Sequence, residues 1–361
     1  MDLIQTHIDA AALCIDESAS LRAALALMDK KRLGIILVTG SDRRLMGTIT
    51  DGDLRRAVLT KVNLDLPLKK LLARKRGTRY ARPVTAPTNT PRPALLALLQ
   101  QHRIRHLPLI DAKRRVAGLV TMDDFVAAQA LPLQAIVMAG GQGTRLLPLT
   151  KDTPKPMLHV GDRPLMEIIL DQLKGAGISQ VKVTTHHKRE KITDHFGDGK
   201  AFGLDLSYLY EDRPLGTAGA LGLIRPPKET VLVMNGDVLT QVNFRAMLEF
   251  HRDMKADLTA AVCQYDLKVP YGVVESDAAL IRKINEKPTL EFFVCAGIYL
   301  LEPSACRLIP KGRRFDMTDL IGRLVKKKRR VASFPIHEYW LDIGKPADFA
   351  AAQRDVASWK K

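Results

Sequence analysis

The sequence is poor in cysteine and aromatic residues, and it has no long apolar run. Its four cysteines form no Cys-x-x-Cys pair, which argues against a disulfide scaffold and is typical of a reducing compartment, so we predict a cytoplasmic protein. Aromatic residues make up 5%, too few for base-stacking platforms. No stretch of about 18 apolar residues occurs, and acids interrupt the apolar N-terminal segment, unlike in a signal peptide. We therefore expect neither nucleic acid nor a membrane as partner.

Acidic residues are also scarce relative to basic ones. The 39 Asp and Glu face 56 Lys and Arg, which leaves a net charge of +17 and indicates a polyanionic partner such as a phosphorylated metabolite. With 46% hydrophobic residues the chain can build a sizeable core, so a disordered or fibrous protein is excluded. The length of 361 residues predicts two or three domains.

An internal repeat occupies the first third of the chain. Residues 43–53 align with residues 114–124, and the apolar run 33–38 aligns with 104–109. Each copy predicts a helix, a strand, a turn, a second strand and a helix.

Each repeat ends in Thr-x-x-Asp at a strand-to-helix junction, with Thr50 and Asp53 in the first copy and Thr121 and Asp124 in the second. This pattern resembles a tandem pair of cystathionine-β-synthase (CBS) domains. The resemblance implies that the Thr hydroxyl meets a nucleotide phosphate and the Asp accepts ribose hydroxyls, commonly of an adenine nucleotide. The alternative is a helix N-cap followed three residues later by an acid, which needs no ligand. Both interpretations remain open at this point.

Two basic stretches have a simple interpretation. Residues 67–93, rich in Pro, Arg and Lys, are expected to be a solvated connecting loop with one short strand near Val84, rather than a basic arm. Residues 326–330 (KKKRR) are expected to be the solvated end of a helix, rather than a nucleic-acid patch.

The character of the chain changes after the repeats. An apolar strand at 134–138 runs into a glycine-rich turn that we expect to open a helix, an arrangement that can hold phosphates on backbone amides. The segment lacks GxxxxGK[ST], and Leu146 stands where the dinucleotide fingerprint needs Gly or Ala, so both of those motifs are excluded. Further on, Lys155 lies between two prolines that restrict its backbone.

Together the residues MAGGQGTRLLPLTKDTPKPML resemble the signature of the sugar-phosphate nucleotidyltransferases, and the similarity continues over roughly residues 134–355. The resemblance implies an α/β fold: a Rossmann-like, mixed, mainly parallel sheet domain preceded by the tandem CBS pair. We predict CBS repeat 1 at 1–61, a linker and CBS repeat 2 at 62–131, and the transferase domain at 132–361.

The same resemblance assigns site residues by their place in the family motifs. The nucleotide-binding set is Ala139, Gly140, Gly141, Gly143, Thr144, Gly216, Thr217 and Ala218. The LGTAG form of the second segment is most similar to guanylyltransferases, so GTP is the first choice of donor. The implied metal ligands for Mg²⁺ are Asp237 and Asp342, the catalytic set is Arg145, Lys155, Asp237 and Lys287, and the sugar-binding set is Gly272, Glu286 and Gly297.

The implied reaction joins a nucleoside monophosphate to a sugar 1-phosphate and releases pyrophosphate. CBS domains in front of such a transferase resemble enzymes that make GDP-glucosamine for nonulosonic (legionaminic) acid pathways, with GDP-mannose synthesis as the alternative. Cys295 stands where guanylyltransferases of the family often have Asn, which leaves the sugar open. A second hypothesis is a nucleotide-sensing protein with an idle transferase domain. We expect a homo-oligomer in either case.

Overall fold

A computed structural model describes residues 9–31, 33–60, 62–76, 81–125 and 131–359. The chain divides into two compact units, Met1–Gln129 and Ala130–Lys361, which are treated separately. No helix within the described residues is both long and apolar enough to cross a membrane.

Unit 1 contains two three-stranded sheets built to the same plan. In each sheet a short first strand runs parallel to the second, which pairs antiparallel with the third. The strands are β1 (Cys14–Asp16), β2 (Ile35–Thr39), β3 (Leu45–Thr50), β4 (Ala86–Pro87), β5 (His106–Ile110) and β6 (Val116–Thr121). The helices are α1 (Leu21–Lys31), α2 (Asp51–Leu59), α3 (Leu68–Arg74) and α4 (Arg92–His102), with 3-10 turns at Ala10–Leu13 and Met122–Asp124.

The two hairpins of unit 1 meet at their turns. Arg44 and Arg115 form an antiparallel bridge, and the amide of Leu45 donates to the carbonyl of Arg114 at 3.0 Å. The predicted repeat is therefore a pair of similar subdomains joined through equivalent turns.

The segment 67–93 differs from the predicted solvated loop. Its first part is α3, in which Leu68 and Leu71 are buried in the core of the first repeat. Gly47 allows this approach, because a Cβ at that position would lie 2.7 Å from a methyl carbon of Leu72. The leucines have helical spacing, but the surrounding Lys and Arg residues hide that pattern in the composition. The strand expected near Val84 is β4.

Unit 2 is built on a seven-stranded sheet in the order β11-β10-β7-β12-β17-β14-β18. Only β17 runs against the others, so the predicted mixed, mainly parallel sheet is confirmed. The strands of unit 2 are β7 (Gln134–Met138), β8 (His159–Val160), β9 (Arg163–Pro164), β10 (Gln180–Thr185), β11 (Asp205–Tyr210), β12 (Val231–Asn235), β13 (Val238–Thr240), β14 (Leu258–Lys268), β15 (Val273–Asp277), β16 (Leu280–Asn285), β17 (Thr289–Leu301), β18 (Val331–Ile336) and β19 (Trp340–Asp342).

Amphipathic helices cover this sheet. They are α5 (Leu165–Gly175), α6 (Arg189–Phe196), α7 (Gly216–Gly219), α8 (Phe244–Asp253), α9 (Pro303–Cys306), α10 (Met317–Lys326) and α11 (Pro346–Trp359), with 3-10 turns at Thr144–Leu146, Lys155–Met157, Lys200–Phe202 and Ala220–Leu223. In α10, for example, Asp316 and Asp319 form a capping box, and Met317, Leu320 and Leu324 are buried on one face. The buried central strands explain why apolar runs such as that of β7 lack alternation.

One part of unit 2 projects beyond the main sheet. The first halves of β14 and the last halves of β17 are buried in it, whereas residues 264–268 and 289–293 continue as an exposed two-stranded ladder. The hairpin β15–β16 lies between them in sequence. We call residues 264–293 the arm.

Candidate active site

Four parallel strands of unit 2 end at the same edge of the sheet. β7 and β12 are central neighbours, in register from Gln134 opposite Val231 to Met138 opposite Asn235. Beyond β7 lie β10 and then β11. Ligands of open α/β sheets bind at this carboxyl edge. The segments that follow these strands therefore line a common site.

The glycine loop after β7 packs tightly on one side and is open on the other. A Cβ on Gly140 would lie 2.6 Å from Oε1 of Glu211, and one on Gly143 would lie 2.9 Å from a methyl carbon of Thr150. Gly143 also has φ +66°, which favours glycine. Beside Gly141, by contrast, there is open space. Ala139 is buried and Thr144 exposed, so the loop is fixed at its ends and accessible at its centre.

The helix expected to start at this loop is not formed. The chain makes only the 3-10 turn Thr144–Leu146, and the hydroxyl of Thr150 donates to the carbonyl of Gly143 at 2.8 Å. Pro148 explains the difference, because proline disfavours helical geometry in the residue before it and lacks an amide donor. No extended helix dipole therefore points at the loop.

Lys155 and Asp237 are brought into direct contact. Lys155 lies in a 3-10 turn and is buried, with 8% of its surface exposed. Its Nζ donates to Oδ2 of Asp237 at 2.5 Å. Asp237 follows β12, and the amide of Gly236 donates to the carbonyl of Met138 at 2.8 Å. The two residues that the sequence places after β7 and β12 thus meet at the centre of the edge.

Asp342 lies beside Asp237 because β13 and β19 pair antiparallel, with Val238 opposite Asp342. The amide of Ile343 donates to the carbonyl of Asp237 at 3.0 Å. Burial and then the charge of Asp237 raise the pKa of Asp342, although Lys155 and Arg145 act in the opposite direction. In both aspartates, Oδ1 is buried without a hydrogen-bond partner within the described residues. Two such oxygens fit a hard divalent cation.

Arg145 reaches the same cluster from the glycine loop. A Cβ on Gly344 would lie 3.5 Å from one of its guanidinium nitrogens. Its side chain is exposed, yet its charge acts on Asp342. Of the catalytic set, the structure therefore groups Arg145, Lys155 and Asp237 around Asp342.

The LGTAG segment is held by contacts that its sequence does not reveal. Gly216 has φ +82°, and Oδ1 of Asp316 accepts from the amide of Thr217 at 2.9 Å. The amides of Ala218 and Gly219 both donate to the carbonyl of Phe315. These three amides are thus used within the protein, and a nucleoside would have to contact other groups of the segment.

Glu211 is a residue that the sequence interpretation missed. It follows β11, is only 8% exposed, and Oε2 accepts from the amide of Leu215 at 3.0 Å. Its other carboxylate oxygen, Oε1, lies against Gly140. The signal that would have identified it is the one that identified Asp237: an acid directly after a parallel strand.

The proposed sugar-binding residues divide into two groups. Gly297, with φ +72°, lies against Asn235, since a Cβ there would be 2.6 Å from Nδ2 of Asn235. Gly272 and Glu286 lie together on the arm, and Lys287 follows with φ +44°. Among the described residues, Glu286 and Lys287 form no hydrogen bond or ion pair with the Asp237 cluster. Of the predicted catalytic set, Lys287 is thus the member for which the structure shows no contact with this cluster among the described residues.

In unit 1 both Thr-x-x-Asp segments form capping boxes. Oδ2 of Asp53 accepts from the amide and hydroxyl of Thr50, both at 3.0 Å, and from Nζ of Lys75 at 2.7 Å, while Oδ1 accepts from Arg56 at 2.9 Å. Asp124 makes the same two bonds to Thr121, at 2.6 and 3.0 Å. No described cation pairs with Asp124. The structure thus shows the capping interpretation at both positions.

Comparison with known proteins agrees with this architecture. The nucleotidyl transferase family model matches residues 134–358, and the CBS domain model matches residues 7–60 and 79–131. The chain belongs to the nucleotidyl transferase family, with CBS domains in its N-terminal part, as its motifs indicate.

Individual relatives cover the C-terminal part. The mannose-1-phosphate guanylyltransferase of Mycobacterium tuberculosis is 33% identical over 233 residues, 62% of this chain and 64% of the relative. The UTP–glucose-1-phosphate uridylyltransferase of Synechocystis is 32% identical over 247 residues, 63% and 64% of the two chains. A crystal structure described as a glucose-1-phosphate thymidylyltransferase from Bacillus anthracis superposes with a TM-score of 0.52 at 26% identity, covering 62% of this chain and 94% of that one. The chain spans less than two thirds of the length of the curated relatives that it matches.

Proposed function

We propose that the protein is a sugar-1-phosphate nucleotidyltransferase that uses GTP. The observation that carries the proposal is the cluster of Lys155, Asp237 and Asp342 at the carboxyl edge of the sheet, in which two buried carboxylate oxygens have no hydrogen-bond partner among the described residues. If this cluster only stabilised the fold, we would expect a hydrogen-bond donor beside each of these oxygens, because burial of an unpaired carboxylate oxygen costs free energy. The arrangement is instead suited to receiving a cation and phosphates.

In the proposed reaction an ionised oxygen of the sugar 1-phosphate attacks the α-phosphorus of the nucleotide. A new P–O bond forms, the bond between the α-phosphorus and the bridging oxygen breaks, and pyrophosphate leaves with that electron pair. No protein nucleophile or base is needed, so catalysis consists of positioning and charge stabilisation. Lys155 lies where it can neutralise the reacting phosphate, and Arg145 and the open side of the loop at Gly141 receive the departing pyrophosphate.

Asp237 and Asp342 are the residues that would hold Mg²⁺, together with phosphate oxygens of the substrates. When bound, the ion would offset negative charge on the phosphates and on the two carboxylates. The raised pKa of Asp342 is consistent with this role. Its causes are burial and the charge of Asp237, and a bound cation would offset the repulsion between the two carboxylates.

Two observations support GTP as donor. Glu211, which is only 8% exposed, has a carboxylate oxygen beside Gly140. Guanine presents adjacent N–H donors at N1 and N2, whereas adenine has its N6–H donor next to an acceptor nitrogen, N1, that a carboxylate would repel. Relatives named guanylyltransferases agree with that choice.

The acceptor is proposed to contact the sugar-binding set, Gly272, Glu286 and Gly297, with Lys287 holding its phosphate. The relative named for mannose 1-phosphate favours that sugar, while the CBS pair and Cys295 keep glucosamine 1-phosphate as the second candidate. We also propose the domain boundaries 1–61, 62–131 and 132–361. In this proposal an adenine nucleotide would regulate the enzyme at the CBS pair. The second repeat is the better candidate for its binding site, because Asp53 of the first repeat already pairs with Lys75 and Arg56.

A pyrophosphate-release screen tests the proposal. GTP, ATP, UTP and dTTP are each combined with mannose, glucosamine, glucose and N-acetylglucosamine 1-phosphates in the presence of Mg²⁺, with and without added AMP. We expect the highest kcat/KM with GTP and mannose or glucosamine 1-phosphate. The proposal would be overturned if no pair of substrates released detectable pyrophosphate even at high enzyme concentration.

A further inference from the structure

The turns of the two hairpins of unit 1 bring four arginines together. Arg43 and Arg44 lie in the turn between β2 and β3, and Arg114 and Arg115 lie at the equivalent positions between β5 and β6. Arg44 and Arg115 form the antiparallel bridge between the hairpins, and the amide of Val116 donates to the carbonyl of Arg43 at 3.4 Å. The backbone therefore holds the four residues beside one another. We call them the arginine cluster.

The central pair of the cluster is partly neutralised. Like charges placed directly opposite each other on paired strands repel. Each of these two arginines pairs with an aspartate of its own turn, Arg44 with Asp42 at 3.0 Å and Arg115 with Asp111 at 3.3 Å. These ion pairs offset the repulsion across the bridge.

The outer pair of the cluster has no such counter-charge. The side chains of Arg43 and Arg114 are exposed, and neither forms an ion pair with any residue that the structure describes. Their positions are diagonal neighbours across the bridge, a separation that long side chains can span. Together the turns 40–44 and 111–115 hold five basic and two acidic residues. This surplus of positive charge fits an anion.

The shape of the turns does not account for arginine at these two positions. Arg43 and Arg114 have left-handed backbone conformations, with φ of +63° and +61°. Glycine or asparagine is the usual residue at such a position of a hairpin turn. Both repeats nevertheless have a long cationic side chain there, so charge rather than backbone geometry explains the choice of residue.

The chemistry of the cluster indicates the class of anion. Arginine binds phosphate oxygens through paired N–H donors and keeps its charge at physiological pH. Four guanidinium groups in one place suit an anion with several charges, such as pyrophosphate or a triphosphate chain. Neither turn contains an aromatic residue on which a base could stack. The cluster therefore fits the phosphate chain itself, whether free or carried by a nucleotide.

The arginine cluster is distinct from the Thr-x-x-Asp segments. Arg44 precedes β3 and Thr50 ends it, so about 20 Å of extended strand lies between them. Arg115 and Thr121 are related in the same way by β6. A phosphate chain at the cluster and an adenine nucleotide at the second repeat would thus occupy two different places.

We propose that the arginine cluster is a binding site for a short polyphosphate chain, which joins the two hairpin turns. Next to the turns, buried apolar residues of both repeats form one core cluster that includes Leu45 of β3 and Leu119 of β6. A ligand that contacts both turns binds only while the repeats are paired, so it stabilises the paired form by mass action. Hydrogen exchange in β3 and β6 should therefore slow when the chain binds.

The test follows hydrogen exchange of peptides from β3 and β6 in the full chain, with inorganic tripolyphosphate as the probe. We expect exchange to slow about fivefold at saturating probe. In the double variant Arg43→Gln with Arg114→Gln, the half-saturating concentration should rise about 30-fold, because two charge-assisted contacts are lost. Without the probe, exchange in this variant should match the wild type.

The matched control is Arg74→Gln with Arg103→Gln. It removes the same charge from exposed positions of unit 1, and Arg103 also has a left-handed backbone, with φ of +52°. The control should respond to the probe as the wild type does. A second arm replaces tripolyphosphate with ATP, which should protect the same peptides through its phosphate chain.

Four outcomes would overturn the proposal. They are no protection of the wild type at millimolar tripolyphosphate, protection that is unchanged in the arginine variant, an equal loss of protection in the control, and protection by ATP alone. The measured peptides lie in unit 1 and the measurement needs no turnover, so the proposed activity is tested separately.

Discussion

Unit 1 and unit 2 each place an aspartate in contact with a lysine, but the surroundings of the two carboxylates differ. Asp53 has both oxygens occupied, by Thr50, Lys75 and Arg56. Asp237 has one oxygen on Lys155 and the other buried with no partner within the described residues, and Asp342 beside it repeats the deficit. The first arrangement is complete without a ligand. The second is incomplete, which is what a binding site requires.

The difference teaches how to separate structural from functional charge pairs. An ion pair with a capping box contributes to stability because its desolvation is repaid by hydrogen bonds. A pair of adjacent aspartates with unpaired oxygens costs stability, and such a cost is expected where it serves function. Mutation of Asp53 should therefore lower stability, whereas mutation of Asp237 should lower turnover.

The largest effect is expected for Asp237→Asn. The amide keeps the shape and can still accept from Lys155, so the melting temperature should stay the same or rise as repulsion with Asp342 disappears. Turnover should fall about 1,000-fold, equivalent to about 4 kcal/mol. We expect Mg²⁺ to raise the melting temperature of the wild type and to have no such effect on this variant. Wild-type turnover in this variant would contradict the assignment.

Asp53→Ala should have the reverse profile. It removes the carboxylate that accepts from Lys75 and from Arg56 and also removes a capping box, so we expect unit 1 to lose about 3 kcal/mol of stability. Hydrogen exchange of the amides in β3 and α2 measures this loss. Lys75→Met, which leaves Asp53 with Thr50 and Arg56, should cost less. Turnover of the folded enzyme should not change, and a loss comparable to that of Asp237→Asn would refute the distinction.

A smaller effect is expected for Asp124→Ala. Since Asp124 caps its turn but no described cation pairs with it, the expected cost is only that of a cap, about 1 kcal/mol. The same exchange measurement on β6 tests this value. A cost equal to that of Asp53→Ala would mean that the two repeats do not differ as described.

The smallest effect concerns pH. Burial opposes ionisation of Asp53, but Lys75, the Thr50 amide and Arg56 outweigh it and hold its pKa below the ordinary value of 3.8. The ionised form therefore stabilises the fold above about pH 4, and this contribution is lost as the pH falls towards the lowered pKa. The stability difference between wild type and Asp53→Asn should shrink between pH 5 and pH 3. A difference that is constant over this range would show that Asp53 does not titrate as described.

Much of the site was predictable, because its signals are local. The strand before Ala139, the acid after β12 and the restrained Lys155 are each visible within a few residues. The adjacency of Asp237 and Asp342 is not, since it arises from β13 pairing with a strand about 100 residues later. Asp316, which accepts from the amide of Thr217, is equally distant from it in the sequence. Only the family resemblance linked Asp342 to Asp237, and nothing in the sequence linked Asp316 to Thr217.

The fold shows the same division between local and distant causes. Regular repeats predict their own hairpins, because each contains its full pattern of turns and apolar strands. The burial of α3 depends on Gly47, which makes room for a helix that begins about 20 residues later. The close contact of this helix with Gly47 produces no hydrophobic periodicity around Gly47 that could be seen in the sequence.

The single reversed strand of the sheet, β17, has a mechanical consequence. Its 13 residues span about 40 Å and place Phe292 at one end and Gly297, beside Asn235, further along the same backbone. Residues 299–301 of β17 pair with both β12 and β14, whereas residues 289–295 pair with β14 alone among the described strands, so β17 is anchored in the sheet at one end and extends into the arm at the other. A displacement of the arm would therefore be transmitted along the backbone of β17 to Gly297, one of the residues proposed to contact the acceptor.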